Sequence, residues 1–161
     1  MNLQVRLGLA VAATPLSACV STESAVFSTT LEARNASGEE PGEFGVGEQI
    51  TLAMTSANQT DEAQPITWCA GGRFDFLVYA HNGTLVWNVY HDRVFTAALQ
   101  PDVYGAREER SGSLTWSQTG NDGDPVPPGA YYAVIDGCAY RNEVRIAGFR
   151  SAPVDFLIRA P

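Results

Sequence analysis

Apolar side chains recur every second residue in short runs along most of this chain, and period two is the mark of a half-buried β-strand. Phe27, Thr29, Leu31 and Ala33 alternate with polar neighbours, and Ile50, Leu52 and Met54 interleave with Thr51, Ala53 and Thr55. Ile66 and Trp68 open a short strand that runs into Cys69. Between Arg73 and Ala80, Phe74, Phe76, Val78 and Ala80 share one face, while Asp75, Leu77 and Tyr79 share the other. Asn82-Gly83 is the favoured pair for a tight hairpin, in which both central residues take positive φ. The return run, Thr84 to Tyr90, sets Leu85, Trp87 and Val89 on one face. Residues 91–103 are of mixed character, and Ser113–Ser117, Ala130–Ile135, Val144–Ala147 and Val154–Ile158 supply later strands. Gly-, Asp-, Asn- and Pro-rich turns separate the runs, and the chain shows no long helical period beyond its N-terminus. The pattern predicts an all-β sandwich or barrel.

The N-terminus breaks this pattern. MNLQVRLGLAVAATPLSAC carries one Arg and no acid, then an apolar stretch from Leu7 to Ala13, and then Pro15. That is the layout of an export signal, and it is too short to span a bilayer. Leu16-Ser17-Ala18-Cys19 resembles the bacterial lipobox, whose cysteine sulfur carries lipid. The alternative is an ordinary cleaved signal with a chance cysteine, for which Leu16 is a poor small-residue match. The expected organisation is a lipoprotein signal peptide at 1–18, a lipidated cysteine and tether at 19–26, and a single β-sandwich domain at 27–161. Val20 is not the aspartate associated with inner-membrane retention. The expected location is therefore the bacterial cell envelope, anchored in the outer membrane and facing the periplasm.

Three cysteines are present. With lipid on Cys19, Cys69 and Cys138 remain as an even pair in an oxidising compartment, and a disulfide is expected. It would close most of the domain and contribute about 4 kcal/mol in the chain-entropy model. Two free buried thiols or a metal site are the alternatives. No Cys-x-x-Cys spacing exists and neither His adjoins a Cys, which disfavours metal. An early-to-late disulfide can pin two sheets together, and this favours the sandwich over the barrel.

The 161 residues fit one domain, and a formal charge of −8 lacks the basic footprint of a general nucleic-acid binder. The only histidines, His81 at the hairpin tip and His91 beside Asp92, have no nucleophile elbow, P-loop or dinucleotide fingerprint with them. Asn121-Asp122-Gly123-Asp124 offers oxygen ligands, but these are also plain turn formers, and the EF-hand glutamate is replaced by Tyr132. Asp75 reads either as a sheet-surface carboxylate or as a buried one satisfied by backbone N–H groups. Trp68, Trp87 and Trp116 fall on apolar faces and read as core. No catalytic, cofactor-binding or metal residue is assigned, no cofactor is implied, and an enzyme is disfavoured.

The run Arg73 to Leu99 resembles the intracellular proteinase inhibitor family of the BsuPI type. The residues that carry the likeness are Phe74-Asp75-Phe76, Asn82-Gly83, Val86-Trp87 and Phe95-Thr96-Ala97-Ala98-Leu99. Leu114-Thr115-Trp116 and Pro128-Gly129-Ala130-Tyr131 continue it, so that the BsuPI-like core covers about 48–135. The resemblance implies an immunoglobulin-like antiparallel β-sandwich and, by the family's name, a protein partner that is a peptidase. The export signal and the cysteine pair depart from the pattern, and no reactive-site motif carries over. The expected function is a lipid-anchored envelope protein that binds another protein, as a proteinase inhibitor. The alternative is a structural, assembly or adhesion module with no peptidase target. The loops 36–48, 91–110 and 119–129 are the expected contact segments.

Overall fold

The computed structural model describes residues 25–69, 71–95 and 98–160, and the expected signal peptide, Cys19 and the tether up to Ser24 lie outside them. Among these residues the chain forms twelve strands and one 3₁₀ turn. In chain order they are β1 (Phe27–Arg34), β2 (Glu43–Gly45), β3 (Ile50–Asn58), β4 (Gln64–Trp68), β5 (Phe74–Ala80) and β6 (Leu85–Asn88). Then come β7 (Gln100–Tyr104), β8 (Glu109–Trp116), β9 (Gly129–Gly137), β10 (Ala139–Arg141), β11 (Val144–Arg145), the turn at Ala147–Phe149 and β12 (Val154–Arg159).

Alternation drives the packing. A three-stranded sheet, β1-β3-β8, faces a five-stranded sheet, β2-β12-β9-β5-β6. Inward residues of both meet in one core: Leu31, Ile50, Leu52 and Trp116 from the first, and Phe44, Val78, Ala133, Ile135 and Ile158 from the second. This is the immunoglobulin-like sandwich. All pairings are antiparallel except one, because β2 runs parallel to β12. A smaller sheet, β11-β10-β4-β7, closes one end over an aromatic cluster of Phe27, Trp68, Tyr104 and Phe149. Trp68 and Phe149 stack at 4.9 Å between ring centroids. Trp68 and Trp116 are buried and Trp87 packs against the main core, as the apolar pattern predicts.

Cys69 and Cys138 are joined in a disulfide, with their Cα atoms 5.4 Å apart. It does not bridge the two facing sheets. Each cysteine sits where its strand leaves one sheet for another: β4 gives way to β5, and β9 to β10. Cys69 N–H donates to the Cys138 carbonyl at 2.8 Å, so the bond locks two neighbouring strands at their common crossing point.

Five local expectations change. The hairpin loop is His81-Asn82-Gly83, with positive φ at Gly83 (86°) and not at Asn82. Gly83 N–H donates to Ala80 O and Ala80 N–H to Thr84 O, the pattern of a three-residue loop closed by a glycine in the left-handed region. A register shift between Val78 and Tyr79 follows, so Leu85 turns outward and Val86 joins Trp87 and Val89 against the core. Residues 91–110 are not one loop: they contain β7 and the start of β8. Pro101 masks β7 in the sequence, yet β7 is a terminal strand of its sheet, where a missing N–H is tolerated. The expected strand Val144–Ala147 shortens to Val144–Arg145, because the chain must turn to bury Phe149. Likewise 36–48 holds β2.

Candidate functional site

Strand register separates two ends of the sandwich. Phe27 pairs with Asn58 and Arg34 with Thr51, and Ile50 pairs with Trp116 and Ala57 with Glu109. One end therefore gathers the β1–β2, β2–β3, β5–β6 and β8–β9 connections, and the other gathers the entry of β1, the small sheet and the β6–β7 connection. Of the expected contact segments, 36–48 and 119–129 share the first end, and the described residues of 91–110 lie at the second.

The loops of the first end are rigidly cross-braced. Gly45, Val46, Gly47 and Glu48 form a turn in which Glu48 N–H donates to Gly45 O at 3.1 Å. Gly47 has φ +79°, which the third position of a type II turn requires. The Glu48 carboxylate reaches back to accept from Gly45 N–H at 2.8 Å. Beneath the turn lies the Gln118 side chain, 3% exposed. Its Nε2 donates to Gly45 O and Glu48 O at 2.8 and 2.9 Å, and its Oε1 accepts from Gly47 N–H at 2.9 Å. Gln118 holds φ +58°, an unusual conformation that aims the amide at the turn.

The neighbouring loops are held the same way. Asn121 Oδ1 accepts from Asn88 N–H at 3.0 Å, Asn121 Nδ2 donates to Asn88 Oδ1 at 3.0 Å, and Asn121 N–H donates to Val86 O at 2.8 Å. The oxygen of Asn121 thus ties this loop to β6, and Asp122 caps its own turn by accepting from Asp124 N–H at 3.0 Å. Tyr131 Oη donates to Pro127 O at 2.6 Å. In the β1–β2 loop, Asn35 and Ser37 donate to Glu39, which holds that carboxyl below its usual range.

Out of this braced surface projects Val46, 49% exposed between two glycines. The surround is acidic. Residues 35–49 carry four glutamates and residues 118–129 two aspartates, with no basic residue in either, a formal −6, of which Glu43 is paired with Arg159 of β12. Sequence reasoning placed both segments among the contact loops but missed Val46 and Gln118. An isolated aliphatic residue between glycines in an acidic loop was the available signal for Val46. Nothing local marks Gln118, whose role depends on a partner 70 or more residues away.

The other singled-out residues play structural parts. Asp75 faces β6, where Asn88 Nδ2 donates to its Oδ2 at 3.4 Å, while its Oδ1 is buried without a hydrogen-bond partner. Burial raises its pKa, against the hydrogen bonds from Asn88 and the start of the β6–β7 connection. It fits neither sequence reading fully: it is half-buried and only partly satisfied. His81 is exposed at its tip, and His91 Nε2 lies 3.1 Å from Asp92 Oδ2. Asp102 is the hub of the small sheet, accepting from Trp68 Nε1 at 2.9 Å and Arg110 at 2.7 Å, with Arg73 at 3.2 Å. Although burial opposes it, the hydrogen bonds from Trp68, Arg110 and the Val103 N–H hold the Asp102 pKa down at about 2.

Solved structures of varied kind are similar to this chain at low identity. The alkylpurine DNA glycosylase AlkC of Pseudomonas fluorescens, bound to DNA with an abasic site analog, aligns at 14% identity and TM-score 0.42, over 84% of this chain and 31% of that one. A CARDB domain of a Pyrococcus furiosus protein, in complex with two metal ions, aligns at 15% identity and TM-score 0.42, over 84% and 87%. A β-glucosidase of Listeria innocua with bound glucose aligns at 12% identity and TM-score 0.43, over 82% and 16%. The chain thus spans about a third of the glycosylase and a smaller part of the glucosidase. No curated protein sequence matches it. The sequence pattern of the BsuPI family, described as intracellular proteinase inhibitor, matches residues 42–137, from the edge of β2 to the end of β9 and so across both braced loops. The chain belongs to the BsuPI family of intracellular proteinase inhibitors.

Proposed function

We propose that this protein is a lipid-anchored envelope inhibitor that presents the Gly45–Glu48 turn and the neighbouring 119–129 loop to a peptidase. The observation that carries the reading is Val46, an exposed aliphatic side chain on a turn fixed from below by three hydrogen bonds to a buried amide. A loop already held in one conformation loses little entropy on docking. A side chain so presented can fill an apolar specificity pocket, the usual anchor of a tight interface. The acidic surround favours a partner with a basic rim. Family membership supports a peptidase as that partner. Inhibition then follows from blocking access to the cleft, and the protein contributes no catalytic group.

Support for the anchor comes from Leu16-Ser17-Ala18-Cys19 after an apolar signal. Lipid at Cys19 places the protein in the envelope, at the outer membrane on its periplasmic side, where the Cys69–Cys138 bond persists. Among the described residues no helix is long and apolar enough to cross a membrane.

The test is a panel of serine and metallo-peptidases titrated with the purified protein. The proposal predicts stoichiometric inhibition of at least one member. No inhibition of any member at micromolar excess would overturn it in favour of an assembly or adhesion module.

A further inference from the structure

The end of the molecule opposite Val46 has its own character. The small sheet alternates strictly, with Gln64, Ile66, Trp68, Tyr104 and Ala139 buried on its inner face. Its outer face carries Pro65, Thr67, Pro101, Val103 and Tyr140, with Arg145 of β11 opposite Tyr140. Val103 is 52% exposed, Tyr140 38%, and Leu99, just before β7, 66%. Beside this face projects the β10–β11 hairpin. Asn142 and Glu143 both hold left-handed backbone at its tip, at φ 49° and 65°, so the turn is tight, and Val144 stands 69% exposed. A concavity of about 430 Å³ separates the hairpin from Ala25 and Val26, the first described residues of the domain.

Arginine is concentrated in the β10–β11 hairpin and the segment that follows it. Residues 141–150 hold Arg141, Arg145 and Arg150 against Glu143 alone, a formal +2, in a chain of −8. Part of that charge is balanced in space, since Arg145 and Arg150 both pair with Asp136. The acidic loops around Val46 lie across the length of β3, whose nine residues span about 27 Å.

Chain length then decides what this end meets. Cys19 is six residues before Ala25, and six residues reach at most about 20–22 Å even when fully extended. A lipid on Cys19 therefore confines the Ala25 end of the sandwich to the immediate neighbourhood of the bilayer. We infer that the outer face of the small sheet and the β10–β11 hairpin form a membrane-contact surface: Leu99, Val103, Tyr140 and Val144 enter the headgroup region of an anionic phospholipid leaflet, and Arg141 and Arg145 meet lipid phosphates. Aromatic and aliphatic side chains flanked by arginine suit that interface. The acidic end is repelled by the same surface, so the domain stands with Val46 away from the membrane. This inference rests on lipidation of Cys19.

The experiment uses the full lipoprotein, purified in detergent and reconstituted into vesicles of phosphatidylethanolamine and phosphatidylglycerol with brominated acyl chains. Val144→Trp and Val46→Trp each place a reporter at one end, read against the native tryptophans of the parent. Flotation with the vesicles, lost in Cys19→Ala, reports the anchor independently of orientation. With the anchor in place, the added emission of V144W should fall by about half while that of V46W is unchanged, and Arg141→Glu with Arg145→Glu should reduce the V144W quenching at least about two-fold. Flotation with equal quenching at both ends, or with none at position 144, overturns the orientation and leaves the anchor standing. Failure of the parent to float removes the anchor and the inference with it.

Discussion

Gln118 stores the cost of the braced turn in one residue. Its amide is buried and its backbone is left-handed, both unfavourable alone, and three hydrogen bonds to the Gly45–Glu48 turn offset them. Gln118→Ala would leave Gly47 N–H and two carbonyls without that partner, and a loss of about 2–3 kcal/mol in denaturant unfolding is expected. Val46→Asp, by contrast, changes an exposed side chain and should leave the unfolding midpoint within about 0.5 kcal/mol of the parent. Two aspartates pull stability in opposite directions with pH. Asp102 has a folded pKa of about 2 against 3.8 for the free group, so its contribution is complete above about pH 4 and is lost as pH falls through 2. Its carboxylate is 18% exposed, and the shift corresponds to about 2 kcal/mol. Asp102→Asn should therefore destabilise by about that amount at neutral pH, with the gap narrowing in acid melts. For Asp75 the pKa is raised, chiefly by burial. Its ionised form is penalised in the fold above that raised value, and protonation relieves the penalty as pH falls. Asp75→Asn should melt no lower than the parent at neutral pH, and any advantage should shrink in acid.

At the scale of elements, the disulfide acts on strand crossings. Cys69 directly follows β4 of the small sheet, before the chain enters β5 of the five-stranded sheet, and β9 and β10 change sheets at Cys138. Replacing both cysteines by serine should cost about 4 kcal/mol, read as a drop in the denaturant midpoint. The long alternating runs were legible because each buries one face: β1, β3, β5, β9 and β12 lie close to where period two puts them. The elements that were not legible share a physical reason. β2 and β10 are three residues long and carry no readable period, and of β11 only the existence was legible, since the strand is two residues long. β7 contains a proline that only its edge position permits. The hairpin was legible as a hairpin at Asn82-Gly83, but its loop type depends on the register shift at Val78, which is set by packing across the sheet. The contact loops were legible as loops, whereas their bracing was not, because Gln118 and Asn121 act on residues far away in sequence.

Across the whole molecule the two ends differ in apolar exposure and in the loops they present. The end that holds Ala25 carries the small sheet with its partly apolar outer face, and the far end is acidic and presents one aliphatic side chain on a fixed turn. A partner that meets the acidic end should associate faster at low salt, and stopped-flow association rates should fall steeply as ionic strength rises while dissociation rates barely change. The central claim, that Val46 on its braced turn is the contact that inhibits, is tested most directly by measuring inhibition constants of the parent and Val46→Asp side by side on the peptidase panel. The predicted result is inhibition by the parent and at least about a 30-fold weaker constant for V46D, the loss expected of a central anchor residue. Equal constants for the two proteins, or no inhibition by either, would contradict it.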